Sequence, residues 1–352
     1  MSQNGLVLVT GVSGFIGAHV VDQLVIAGYR VRGTVRSAKV LNNKKAFAVY
    51  GDAVEIIAWN DLVHGTHPEA FKGVDAVIHL AAPLAYREPN AEIAISVSVD
   101  GSVNVLKQAE QAGIKNFGYI SSIAAVTAGF LKGEYTPLTD QDWVSINKEE
   151  ILSNKDVDGF SVYVAEKVLS ERAVWEFVDQ HPHIELTTIN PPFSFGPFAP
   201  GHRSPYEGTT FNPQTLSTTN MLWGLIKPSG AHPFAPLFMD VRDVARAFVA
   251  ALKAPPASKV GRKRILISGN WRQLSDIAEL VATKRPELAS RIPASQKADL
   301  PVKVKQIVDN KRAKEVLGLE ITPWETTILD TIDSLVDLEK YWKARGVDIT
   351  AK

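Results

Sequence analysis

Two side chains of complementary acid–base character, Tyr163 and Lys167, stand four residues apart in the stretch Tyr163-Val-Ala-Glu-Lys167. The surrounding residues 160–180 read as a long helix, on which a separation of four places both groups on one face. A phenol, with a pKa of about 10, is a poor acid at neutral pH; a neighbouring ammonium favours the phenolate and draws the pKa toward the working range. That is the chemistry needed to protonate an alkoxide as hydride reaches a carbonyl carbon. A tyrosine and a lysine at this spacing also occur by chance in many helices, so the pair needs company. Tyr119-Ile-Ser121-Ser122 supplies it, closing an apolar strand with hydroxyls that can hydrogen-bond a reacting oxygen. Strand alternation favours Ser122 over Ser121 for that role, and a plain strand-end turn is the alternative.

A second set of residues suits a phosphate. In Val7-Leu-Val-Thr-Gly11-Val-Ser-Gly14-Phe-Ile-Gly17 three glycines recur at intervals of three between a strand-length apolar run and an amphipathic stretch. Gly11 suits a tight turn, Gly14 lets the backbone approach a pyrophosphate, and Gly17 lets a helix pack on the strand, while the helix N-terminus offers unpaired N–H donors. A dinucleotide-binding strand–turn–helix is therefore expected. A site that reads an unmodified adenosine ribose uses an acidic residue about 20 positions beyond the glycines. Here the segment is Arg30-Val-Arg32-Gly-Thr-Val-Arg36-Ser-Ala-Lys39, with no Asp or Glu. Guanidinium groups suit a 2′-phosphate, so NADP(H) is the expected cofactor, with Arg36 the first choice and Arg32 the second. Asn60-Asp61-Leu62, just past the next strand, is placed to meet the adenine edge, or is a surface turn.

The elements that must position these groups follow from periodicity. Apolar runs at Leu6–Thr10, Tyr29–Val35, Val54–Trp59, Ala76–Leu80, Phe117–Ser121 and Glu185–Asn190 alternate with helical stretches, including 15–28, 91–113 and 160–180. Continuously apolar strands are buried on both faces, which predicts an α/β fold: a doubly wound parallel sheet of the Rossmann kind. Residues 191–236 are rich in proline, glycine and aromatics and read as loops over a cleft rather than as sheet. Leu237–Asp240 then reads as a return to the sheet, Arg264–Ile267 as a final strand, and 271–352 as mostly helical. The expected domains are a nucleotide-binding one, 1–190 plus 237–270, and a smaller, discontinuous, mostly helical substrate-binding one, 191–236 plus 271–352.

Composition narrows the partners. The chain has 352 residues, 45% hydrophobic and 22% charged, with Lys+Arg 38 against Asp+Glu 38. Zero formal charge lacks the footprint of a general nucleic-acid binder or a polybasic membrane-surface protein, so a small molecule is the expected partner. With no cysteine, disulfides, thiolate zinc sites and a cysteine nucleophile are excluded. The opening MSQNGLVLVTG lacks the pattern of a signal peptide and no run has membrane-span length, so a cytoplasmic protein, monomeric or homodimeric, is expected. His181-Pro-His183 has no third ligand at metal spacing; no metal is expected. His79 is read as a packed strand-end residue rather than a base.

The glycine cradle, Ser122, Tyr163 and Lys167, in this order and at these separations, resemble the extended short-chain dehydrogenases/reductases, whose hallmarks are TGxxGxxG, a strand-end Ser and YxxxK. More narrowly, VRGTVRS at 31–37, HLAAP at 79–83, YISS at 119–122, YVAEK at 163–167, INPPFSFGP at 189–197, MDVRDVARA at 239–247 and DNKRAKEVLGL at 309–319 resemble the dihydroflavonol-reductase-like branch and its fungal methylglyoxal and carbonyl reductases. The resemblance implies hydride transfer from NADPH to a small ketone or aldehyde. Tyr163 would give the proton, Lys167 would hold the nicotinamide ribose and lower the tyrosine pKa, and Ser122 would polarise the carbonyl. It further implies that Gly11, Ser13, Gly14, Phe15, Ile16 and Gly17 lie along the pyrophosphate, that Arg36 meets the 2′-phosphate, that Asp61 and Leu62 flank adenine, and that Ala81 and Pro192 also contact the cofactor. Two departures stand out: Asp100 precedes Gly101 where relatives often have Asn, and Val40 stands where one relative has a second basic residue, a part Lys39 or Lys44 could take. Leu84, Tyr86, Phe130, Phe193, Phe195 and Trp223 are candidates to line an apolar substrate pocket, or equally to be core. Rival readings on the same scaffold are a nucleotide-sugar epimerase or dehydratase with retained NAD, and a non-catalytic NADPH sensor.

Overall fold

In the computed structural model, residues 4–82, 90–127, 138–227, 237–269, 271–292 and 308–350 are described. Nine strands, β1 (Leu6–Thr10), β2 (Arg30–Val35), β3 (Val54–Ala58), β4 (Ala76–His79), β5 (Asn116–Ile120), β6 (Glu185–Asn190), β7 (Phe193–Phe195), β8 (Phe238–Asp240) and β9 (Lys263–Leu266), occur among these residues. The helices are α1 (Phe15–Ile26), α2 (Val40–Phe47), α3 (Ala91–Gln111), α4 (Lys148–Ser153), α5 (Gly159–Gln180), α6 (Asn220–Ile226), α7 (Val241–Ala251), α8 (Ala257–Val260), α9 (Leu274–Lys284), α10 (Lys311–Leu317) and α11 (Trp324–Lys343).

Seven strands form one sheet in the order β3-β2-β1-β4-β5-β6-β9, and every neighbouring pair is parallel. All five residues of β1 are buried, because alternate side chains enter two different cores. Val7 and Val9 join α1 and α7 on one face, while Leu6 and Leu8 join α3 and α5 on the other. The doubly wound sheet is thus as the apolar runs require. Strand order reverses beside β1, and in open parallel sheets ligands bind at such a switch point, outside the carboxyl ends of the strands.

Two expectations need correction. Phe193–Phe195 lies inside the proline-rich stretch yet forms β7, and Phe238–Asp240 returns not to the main sheet but to β7 as a parallel two-stranded sheet. Pro191 and Pro192 explain both. Neither residue can donate a ladder hydrogen bond, so the chain leaves the sheet after Asn190 and β9 pairs with β6 instead. β7 and β8 then sit against a further apolar cluster that includes Phe195, Trp223, Phe238, Ile328, Ile332 and Trp342. By contrast Ala313, Val316 and Leu317 of α10 pack into the same core as α1 and α7.

Candidate active site

The glycine loop follows β1, whose last residue, Thr10, anchors it: Thr10 Oγ1 accepts the backbone N–H groups of Leu80 and Ala81 at 3.0 and 3.1 Å. Gly11 has φ +74°, and a Cβ there would lie 2.9 Å from the Ala81 nitrogen. At Gly17 a Cβ would come within 2.2 Å of the Gly11 carbonyl oxygen, so only glycine lets α1 start this close to the strand. Gly14 precedes α1 and makes no side-chain cap, which leaves first-turn N–H groups for an anion. Ser13 and Ile16 are half-buried beside it. Phe15 is buried, its ring edge-on to Phe198 and His202.

At the end of β2 the two arginines separate. Arg32 pairs with Glu55 at 2.7 Å and donates to the carbonyls of Glu69, Ala70 and Lys72. The second choice for the 2′-phosphate is thereby corrected: Arg32 closes the sheet edge, because on a parallel sheet its register partner is Glu55. Arg36 is exposed, and among the described residues its guanidinium makes no ion pair or hydrogen bond. Ser37 and Asn60 tie the ends of β2 and β3, with the Ser37 N–H donating to Asn60 Oδ1 at 2.8 Å. Beyond them the Asp61 carboxylate accepts from the N–H groups of Val63 and His64. Those backbone bonds, that of His64 above all, hold its carboxyl below the usual range. Asp61 is exposed, and Leu62 is half-buried against Gly101 of α3.

Tyr163 and Lys167 occupy one face of α5, the lysine Nζ 5.8 Å from the tyrosine ring centroid. Asp158 starts this helix by accepting from the N–H groups of Phe160 and Ser161. Lys167 is 7% exposed, burial draws its pKa down, and no ion pair within 4.0 Å holds it among the described residues. Ser122 lies just past β5, its Oγ accepting from the Ala124 N–H at 3.1 Å, and the Asn190 amide donates to its carbonyl. Ser121 points the other way, its hydroxyl donating to Glu171 at 2.7 Å. Phe193 packs in the same apolar cluster as Tyr163, and Pro192 is buried between Asn190 and β7.

Of the pocket candidates, Leu84, Tyr86 and Phe130 lie outside the described residues. Phe195 and Trp223, 0% and 2% exposed, are enclosed by the cluster around α11 and act there as core. His79 lies 2.7 Å from Thr10 Oγ1 and 3.2 Å from Ser102 Oγ. Burial, reinforced by the Lys167 charge, pushes its pKa down to about 3, so it is a neutral, packed imidazole. Asp100 is exposed and accepts from Ser96 Oγ at 2.6 Å.

One group of residues escaped the sequence reading. Glu171 is fully buried and accepts from Ser121, Thr188, Asn190 and Arg264. Arg264 reaches on to the carbonyls of Asp140 and Asp142 and stacks 3.7 Å from the Trp143 ring. This network ties α5, the ends of β5 and β6, β9 and the segment before α4 into one unit behind Ser122. The available signal was helical spacing: residues 163, 167 and 171 recur at intervals of four.

Residues 7–268 match the model of the NAD dependent epimerase/dehydratase family, most of the chain. The chain belongs to that family. Within this epimerase/dehydratase family member, identity is 33% over 348 residues with an oxidoreductase of Schizosaccharomyces pombe, covering 96% of this chain and 99% of the relative. With a Candida albicans protein named for NADPH-dependent methylglyoxal reduction it is 29%, over 96% of this chain and 100% of that one. Among solved structures, Gre2 of Candida albicans in complex with NADPH is 26% identical with a TM-score of 0.75, covering 95% of this chain and 99% of that one. The resemblance to fungal carbonyl reductases drawn from the motifs is therefore borne out.

Proposed function

We propose that this protein is an NADPH-dependent carbonyl reductase that transfers hydride to a ketone or aldehyde to give the alcohol, a reaction reversible in principle. The observation that carries the reading is the buried Lys167 ammonium, without an ion-pair partner, beside the Tyr163 ring. A buried cation is costly unless something pairs with it, and the hydroxyls of a nicotinamide ribose have the chemistry to do so. The cradle fits the rest of the cofactor: the glycine positions leave no room for a Cβ at Gly11 or Gly17, and Arg36 is exposed and unengaged. Support also comes from a relative named for NADPH-dependent methylglyoxal reduction and from a similar solved structure in complex with NADPH.

When bound, NADPH supplies the hydride. Gly11, Ser13, Gly14, Phe15, Ile16 and Gly17 would hold its pyrophosphate, Arg36 its 2′-phosphate, and Asp61 and Leu62 its adenine, with Ala81 and Pro192 as further contacts. Ser122 donates a hydrogen bond to the carbonyl oxygen, polarising it. Tyr163 then delivers its phenolic proton to that oxygen as negative charge develops there, and Lys167 favours the resulting phenolate. Glu171 engages Ser121, which leaves Ser122 as the hydroxyl for the substrate.

We assign the substrate-binding part to 191–236 plus 271–352 and the nucleotide-binding part to 1–190 plus 237–270, with α10 packed on the latter. A cytoplasmic, monomeric or dimeric protein acting on small molecules is part of the same proposal. Among the described residues no helix is long and apolar enough to cross a membrane. The test is NADPH oxidation, with NADH in parallel, against aryl ketones, β-keto esters and methylglyoxal. Turnover with NADPH is expected, and silence across all three classes overturns the reading.

A further inference from the structure

Glu171 stands two helical turns beyond Tyr163 on the same face of α5 and is fully buried. Its two oxygens are filled by donors from three stretches of chain. Oε1 accepts from Thr188 Oγ1 at 2.8 Å and Arg264 Nε at 2.9 Å. Oε2 accepts from Ser121 Oγ at 2.7 Å, Asn190 Nδ2 at 2.8 Å and Arg264 Nη2 at 3.3 Å. A carboxylate offers acceptors only, so every group around it must turn a hydrogen inward. Ser121 gives its single hydroxyl hydrogen to Glu171. Asn190 turns its NH2 group toward the carboxylate, and the same nitrogen reaches the Ser122 carbonyl at 3.3 Å.

Ser122 is thereby held from both sides. The backbone ladder carries on past β5, with the Ser121 and Ile123 N–H groups donating to the carbonyls of Ile189 and Pro191, each at 2.9 Å. Between them Ser122 is extended, with φ −158° and ψ 156°, so its side chain faces away from that of Ser121. Its Oγ accepts from the Ala124 N–H, and its own hydroxyl hydrogen has no acceptor among the described residues, which leaves it for a carbonyl oxygen.

We propose that Glu171 is a positioning residue of this site: its carboxylate engages Ser121 and orients the Asn190 amide, and together these fix Ser122 in the pose that presents its hydroxyl to the substrate. Arg264 balances the buried charge and extends the same unit to the carbonyls of Asp140 and Asp142. An amide at position 171 would set its own NH2 against these donors. If Asn190 turned over in response, its oxygen would face the Ser122 carbonyl oxygen, and the two repel. The inference rests on the proposed role of Ser122.

The test uses the full chain and reads kcat with a ketone alongside the Kd for NADPH. Glu171→Gln is expected to lower kcat by about tenfold, less than follows outright loss of a carbonyl-binding donor, with the Kd for NADPH within about twofold of wild type. Added to Ser122→Ala, the same substitution should change kcat by less than about twofold, because the group it positions is gone. A full loss repeated in the Ser122→Ala background overturns the inference, as does an NADPH affinity that falls in step with kcat. The chain contains no cysteine, so a thiol placed at either serine can be followed alone. Ser122→Cys should be alkylated by iodoacetamide at least about tenfold faster than Ser121→Cys, and Glu171→Gln should narrow that contrast. An unchanged contrast in the folded variant also overturns the inference. Should Glu171→Gln not fold, because Arg264 is left buried without its partner, Asn190→Ser keeps that ion pair and carries the same comparisons. Wild-type protein that reduces no carbonyl compound removes the proposed reaction instead, and alkylation still decides the role of Glu171.

Discussion

Arg32, inside β2, and Arg36, just past its end, are four residues apart, and their surroundings divide their work. Arg32 is used up by Glu55 and three backbone carbonyls, whereas Arg36 faces solvent with its guanidinium unengaged among the described residues. A 2′-phosphate meeting Arg36 makes charge-assisted hydrogen bonds that NADH cannot make. Replacing Arg36 by Ala should therefore raise the KM for NADPH by about tenfold to a hundredfold and leave the KM for NADH nearly unchanged. Steady-state kinetics with both cofactors read this directly, and an equal rise for the two would argue against the assignment. The absence of an acidic residue after the glycines was legible in the sequence; which arginine remained available was not. That depended on Arg32 and Glu55 sharing a register in neighbouring strands. Glu171 was hidden for a similar reason, since its partners come from three separate stretches of chain.

At the level of elements, the cradle works because β1 hands over to α1 with no side chain in between. A methyl at position 17 would collide with the Gly11 carbonyl oxygen, so Gly17→Ala must push α1 away from the strand. Overpacking of this kind costs about 1–3 kcal/mol, and the displaced helix start should also weaken NADPH binding. Thermal melting and a fluorescence titration of NADPH test both effects; unaltered affinity in a folded Gly17→Ala protein would contradict the role given to this turn. This junction could be read from spacing alone, because strand, turn and helix are contiguous. β7 could not. Phe193-Ser-Phe195 looks like loop among prolines, and it becomes a strand only because Phe238–Asp240, more than 40 residues later, lies alongside it. A still longer separation in sequence concealed the enclosure of Phe195 and Trp223 by α11.

At the level of the whole molecule, buried titratable groups set how stability follows pH. His79 and His202 are both pushed down to about 3, chiefly by burial. Between the ordinary value of 6.5 and about 3 the unfolded chain binds protons at these sites that the folded chain refuses. Their contribution is complete above about 6.5 and is lost as pH falls toward 3. Glu166 acts oppositely: with its folded pKa raised from 4.5 to about 7, its contribution is complete below 4.5 and lost as pH rises through 7. Two histidines outweigh one carboxyl, and below 4.5 nothing from Glu166 opposes them. Calorimetry should show the melting temperature falling from pH 6.5 downward, most steeply on the acid side of 4.5. His202→Phe should flatten that decline, and an equally steep decline in the variant would show that His202 is not a source of it.

The central claim is that Tyr163 gives the proton, and its most direct measurement pairs turnover with cofactor binding in Tyr163→Phe. Loss of a positioned general acid lowers turnover by roughly a hundredfold to ten-thousandfold. Removing a single hydroxyl leaves the glycine cradle, Arg36 and Lys167 in place, so the Kd for NADPH should stay close to that of the wild-type protein. Ketone reduction by Tyr163→Phe at the wild-type rate, with NADPH bound equally well, would contradict the account.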